Sequence, residues 1–191
     1  MTTNDIRKLV SNNQLQQALT SSEKLELPDD FKSKLIAIKA SYREYNNHRI
    51  DGDMRNDDIE IMRAGITKKI LLFLSEFEIV CLIDLKNNFI ELTDNIDKNA
   101  THDEKEKVVE EAKQITNDLE SIDVAEKKED VKPGVIKRIG DFLAKFQDKD
   151  STQSKVLSTV KDGISMIQQL GKKYNSVAQW FLLPQIPNIL L

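Results

Sequence analysis

Glycine and proline are scarce, at six and four in 191 residues. A many-turned β fold draws on both, Gly for positive φ and Pro for its preset φ, so their shortage disfavours one. Cysteine occurs once, as Cys81 inside the apolar stretch of residues 79–83. That excludes an intrachain disulfide and fits a reducing compartment, with a buried spectator thiol as the expectation. Only two histidines are present, His48 and His102, far apart and with no Cys or Ser in a nucleophile setting. With no Gly-rich phosphate loop either, the chain offers no recognisable catalytic, cofactor or metal pattern, and a non-enzymatic protein without cofactors is expected. A one-sided charge is missing too: 28 basic residues stand against 32 acidic ones, for a net charge of −4. Interspersed charge leaves no footprint for a phosphate backbone, so nucleic acid is not an expected partner. The opening MTTNDIRKLVSNNQ lacks the basic, apolar and small-residue regions of a secretory signal, and a cytoplasmic location is the expectation.

What the chain does have is 39% hydrophobic and 31% charged residues, arranged with helical spacing. The predicted class is all-α: an N-terminal small helical bundle, joined by a long helix to a C-terminal helical hairpin or bundle. Asn4 or Asp5 is the expected cap of a short helix carrying Ile6, Leu9 and Val10, followed by a second with Leu15, Ala18 and Leu19. Asp29 and Asp30, after Pro28, are the expected caps of a third helix, whose apolar face runs through Phe31, Leu35, Ile38, Tyr42 and Tyr45. The stretch NNHRIDGDMRNDD reads as a hinge, with a Gly turn and a fresh acidic helix start. Beyond it, Ile59, Met62, Ile66, Ile70, Phe73, Phe77, Cys81, Leu85, Phe89, Leu92 and Ile96 keep a three-four step and predict one unusually long helix. Gly65 within it costs about 1 kcal/mol relative to Ala, which suggests a close helix approach there. A module boundary is expected near residues 76–78, dividing the chain into 1–77 and 78–191.

In the second part, Val108, Ala112, Ile115 and Leu119 form the narrow apolar stripe of a solvated helix. AEKKEDVKPG reads as a linker or turn, before an amphipathic unit with Val135, Ile139, Phe142, Leu143 and Phe146. Val156, Val160, Ile164, Ile167 and Leu170 then lead toward Tyr174, Val177, Trp180 and Phe181 as the last helical element. From Tyr174 onward no residue is charged, and Pro184 and Pro187 interrupt any helix. The expected course leaves the helix at Leu183, turns at the prolines and lays Ile186, Ile189 and Leu190 across the bundle groove.

IDGDMRNDDIE invites a calcium-loop reading, but the register fails. With Gly52 in the sixth position, Arg49 falls on the third, where an oxygen ligand is required, and Asp58 rather than Glu closes the loop. A turn followed by a helix start is the expectation.

IRKLVSNNQLQQAL, FKSKLIAIKASYREYNN, RIDGDMRNDDIE and RAGITKKILLFLSE together resemble the effector-associated domains of bacterial conflict and signalling systems, type eleven, over residues 4 to about 76. Tyr42-Arg43 stands in the reverse order of the usual pair, and Ala64-Gly65-Ile66 replaces an Asn-Arg element. The resemblance implies a death-like adaptor. Its implied partner is another protein with a similar helical domain, carrying a protease, a nucleotide-dependent switch or another effector. Tyr42, Arg43, Tyr45 and Arg49 are the candidate anchors on this reading, with the core as the competing place for both tyrosines. Tyr174, Trp180, Phe181 and Pro184 are the candidate binding residues of the tail. Two other readings stand beside it: a membrane-docking protein that uses the uncharged tail after Lys172 and Lys173, and an enzyme in which Asp57, Asp58 and Glu60 converge on His48. Self-association is open.

Overall fold

The computed structural model describes residues 1–187. Among them are eight α-helices and no strand. The chain divides into two compact units, Met1–Glu78 and Ile79–Leu191.

The first unit opens with α1 (Thr3–Ser11) and α2 (Leu15–Ser22). The α1 cap is Thr2, not Asn4 or Asp5. Thr2 Oγ1 accepts from the Asp5 N–H at 3.2 Å, while the Thr2 N–H donates to Asp5 Oδ2 at 2.9 Å, a reciprocal capping box. Helix α3 (Asp29–Asp51) starts after Pro28, and Asp29 and Asp30 sit inside its first turn, where they favour the helix dipole without capping. The expected hinge is shorter than its polar composition suggested, because residues 46–51 are helical. The stop is Gly52, at φ 66°, whose N–H donates to the His48 carbonyl at 3.0 Å. Helix α4 (Asn56–Asn99) follows and is a single element of 44 residues.

Phe31 is the centre of this unit's core, edge-on to both Phe73 and Phe77 with ring centroids 5.6 Å apart in each case. Ile6, Leu19, Ile70 and Leu74 close around them. One carboxylate is buried here: Glu78 is 1% exposed. Its oxygens accept from the Thr3 hydroxyl and from Arg7 Nη2 at 2.8 Å, and Arg7 Nη2 also donates to Ser75 Oγ at 3.1 Å. Gly65 is exposed, with nothing within 4 Å of where a Cβ would lie, so no helix crosses close to it.

In the second unit, Leu82, Leu85, Phe89, Leu92 and Ile96 of α4 are buried. Cys81 is half-buried rather than enclosed. Around them lie α5 (Lys105–Leu119), α6 (Pro133–Ala144), α7 (Thr152–Leu157) and α8 (Gly163–Ala178). Val108, Ala112, Ile115 and Leu119 of α5 are all buried. Phe142 stands edge-on to Phe89 and to Phe146, at 5.4 and 5.3 Å. The apolar register from Val156 to Phe181 does not form one helix. Residues 158–162 break it, with Asp162 at φ 61°, and Gly163 comes next, where a Cβ would lie within 2.7 Å of Leu157 Cδ1 and force that side chain to shift. Gly140 of α6 likewise leaves room for α8, since a Cβ would overlap the Tyr174 phenol.

The tail folds back onto its own unit. After α8, residues 179–181 add a tighter turn and Leu182 takes φ 55°. Residues 183–187 then have no regular secondary structure, with Ile186 only 7% exposed. Ile189 and Leu190, expected on the same groove, lie outside the described residues.

Candidate protein-interaction surface

Helix α3 carries apolar side chains on two faces. Phe31, Leu35, Ile38 and Tyr45 point into the core. Lys32, Ile36, Lys39, Arg43, Asn47 and Ile50 recur at steps of three and four on the outer side, and Ile36 and Ile50 are 67% and 68% exposed. Beside this stripe lies a pocket of about 320 Å³, lined by Leu25, Leu27, Leu35 and Ile36 together with Glu23, Lys32, Lys39 and Arg43. Lys32 is paired with Asp29 at 2.7 Å, and Lys39 with Glu23. Arg43 has no ion pair among the described residues. The face therefore offers exposed aliphatic area beside an uncommitted guanidinium, the side chain best suited to bidentate capture of a carboxylate.

The four anchors expected near the hinge separate. Arg43 is exposed on the outer stripe of α3. Arg49 is exposed too, but it points to another side of the helix, where its Nη2 donates to Asn46 Oδ1 at 3.1 Å. Tyr45 is a core residue, and Tyr42 is half-buried against it, ring centroids 6.0 Å apart. Of the tail candidates, Tyr174 and Trp180 are buried, Phe181 is half-buried and Pro184 is exposed. The Tyr174 hydroxyl donates to the Pro184 carbonyl at 3.2 Å, so this pair joins helix to tail. Burial, with a smaller contribution from the Asp141 carboxylate, raises the Tyr174 phenol above its ordinary value.

The two histidines hold local turns. His48 Nδ1 lies 3.0 Å from Asp53 Oδ1, across the Gly52 turn, and half-buried His102 accepts the Glu104 N–H at 3.1 Å through Nδ1. Asp58 is engaged by Arg55 at 3.1 Å and Glu60 by Arg63, so these two acids are tied to neighbours in sequence rather than to His48. Among the described residues no group of three or more His, Cys, Asp and Glu is placed to hold a metal ion. No helix among them is long and apolar enough to cross a membrane.

Exposed aliphatics, rather than aromatic and Arg residues alone, mark the surface. Ile36 and Ile50 on α3, and Ile61 and Leu72 on α4, are all more than half exposed. Each stands off the main apolar register of its own helix, and its exposure is set by what packs around that helix.

No curated protein and no solved structure matches the chain. Residues 1–78, the span of the first compact unit, match the family model of Effector-associated domain 11.

Proposed function

We propose that the chain is a non-enzymatic adaptor that recruits or scaffolds an effector in a bacterial defence or signalling system. It does so by pairing its N-terminal domain with a like helical domain on another protein. The observation that carries this reading is the match of residues 1–78 to Effector-associated domain 11. The partner is a protein that brings its own protease or nucleotide-dependent switch, and the pairing takes place in the cytoplasm. On this reading the chain divides functionally near residue 77, the adaptor domain preceding a helical C-terminal module.

The outer stripe of α3 is the docking face in this reading. Ile36 and Ile50 each have apolar area to lose, worth roughly 1.5–3 kcal/mol for a fully buried aliphatic side chain. Arg43 supplies orientation by meeting an acid on the partner helix. The test is capture from extracts of the source cells with the full chain as bait, alongside Ile36→Asp and Arg43→Glu. The expected result is a specific partner carrying a similar helical domain, depleted by either substitution. Capture of no such partner, or capture indifferent to both changes, rejects the reading.

A further inference from the structure

The outward face of α4 in the first unit has its own pattern. Asp57, Ile61, Ala64, Gly65, Lys68 and Leu72 follow one another at helical spacing and all are exposed, Ile61 at 69% and Leu72 at 56%. Two of the six are small, and Gly65 has open space around it, although an exposed mid-helix Gly lowers helix propensity. Asp57 and Lys68 have no ion pair among the described residues, whereas neighbouring Asp58 is paired with Arg55 just before the helix and Glu60 with Arg63 within it. The two unpaired charges are opposite in sign and about 16 Å apart along the axis, at 1.5 Å per residue.

These features are self-complementary under a twofold axis. We infer that this face of α4 is a docking surface for a second copy of the chain, with the two α4 segments antiparallel. The register is set by charge: Asp57 meets Lys68 of the second copy, and Lys68 meets its Asp57. That one register, with no further adjustment, brings Ile61 opposite Ala64 of the second copy and leaves Gly65 beside it. The aliphatic side chain enters the space that the two small residues leave open, and the helices can approach at the short end of the usual 8–10 Å. The surface patch on each copy is the same, as a closed dimer demands. A parallel arrangement would set Asp57 against Asp57 and Lys68 against Lys68, which like-charge repulsion disfavours.

A partner of unrelated sequence would not require the charges and the small residues to be matched within one helix. The pairing is also independent of the α3 face: loss of effector capture by Ile36→Asp leaves it standing, and its own failure leaves the adaptor reading standing.

The experiment is sedimentation of the full chain across a concentration series, with four variants. The wild-type chain is expected to pass from 21.9 kDa toward twice that mass as concentration rises. Ile61→Asp is expected to stay monomeric, and far-UV circular dichroism checks that it folds. Asp57→Lys and Lys68→Asp should each weaken association at least tenfold, and the two together should restore it. In a Cys81→Ser background, chains carrying Ile61→Cys mixed with chains carrying Ala64→Cys should cross-link to each other on oxidation. A chain that is monomeric throughout, a dimer untouched by Ile61→Asp, or a charge swap that fails to restore association overturns the proposal.

Discussion

Asn175 holds both backbone groups of Ile186: its Nδ2 donates to the Ile186 carbonyl at 2.8 Å, and its Oδ1 accepts the Ile186 N–H at 2.7 Å. A side-chain amide used this way imitates a strand partner. It satisfies the backbone of one buried residue that has no helix or sheet to join, and it does so beside the Tyr174 bond to Pro184. An uncharged segment with two prolines is thereby fixed as part of the fold.

Asn175→Ala removes both bonds and is expected to destabilise the chain by about 1–3 kcal/mol, from about 0.5–1.5 kcal/mol for each bond. Asn175→Asp keeps the acceptor for the Ile186 N–H but turns a second oxygen on its carbonyl, so it should not rescue. Urea midpoints measure the cost. Limited proteolysis should show new cleavage at residues 182–187 in both variants, and unchanged cleavage would mean that the bracket does not hold the tail.

The raised Tyr174 phenol gives an alkaline signature. In the unfolded chain the group ionises near 10.0, while burial keeps it protonated to higher pH in the folded chain. Its contribution is therefore fully present below the ordinary value and is lost as pH rises through the raised one. Denaturant midpoints followed from about pH 8 to about pH 11 should fall at the alkaline end. Tyr174→Phe should flatten part of that fall, and an identical slope in the two proteins would contradict the assignment.

Glu78 is a buried carboxylate whose charge is met by Arg7, itself 26% exposed. Glu78→Ala removes the carboxylate that meets Arg7 and the acceptor of the Thr3 hydroxyl, leaving Arg7 only Ser75 and water, and should cost about 3 kcal/mol, the low end for breaking a buried pair because Arg7 still reaches water. Glu78→Gln retains an acceptor and should cost less. The double change Arg7→Met with Glu78→Met should cost less than the sum of the single changes, and strict additivity in this cycle would show that the two residues are uncoupled.

The periodicity of α4 was legible because nearly every third or fourth residue on one side is Ile, Leu or Phe, and that side is the one buried. Leu74 and Leu82 are as buried as any of that series but escaped it, since a stripe drawn one residue wide misses a helix covered on several sides. The cap of α1 was misread by two or three positions because Thr2, Asn4 and Asp5 all have capping side chains, and only the reciprocal bonding selects Thr2. The break before α8 left no mark in the apolar register. It coincides with Asp162 adopting a left-handed backbone and with Gly163 packing close to Leu157 and Val160, neither of which apolar spacing records. The candidate surface was half legible for a related reason. Arg43 was named from its residue type, but the isoleucines beside it on the outer stripe look like core residues until their exposure is known.

The passage from the first unit to the second has a consequence for how such a protein can be rearranged. Residue 78 falls in the middle of α4, with helix on both sides and no linker between. Cutting there strands the carbonyls of the preceding turn, whose acceptor bonds come from the residues beyond the cut. A matching N-terminal domain can therefore be exchanged between proteins only by splicing helix into helix. The joint must itself be helix-forming sequence.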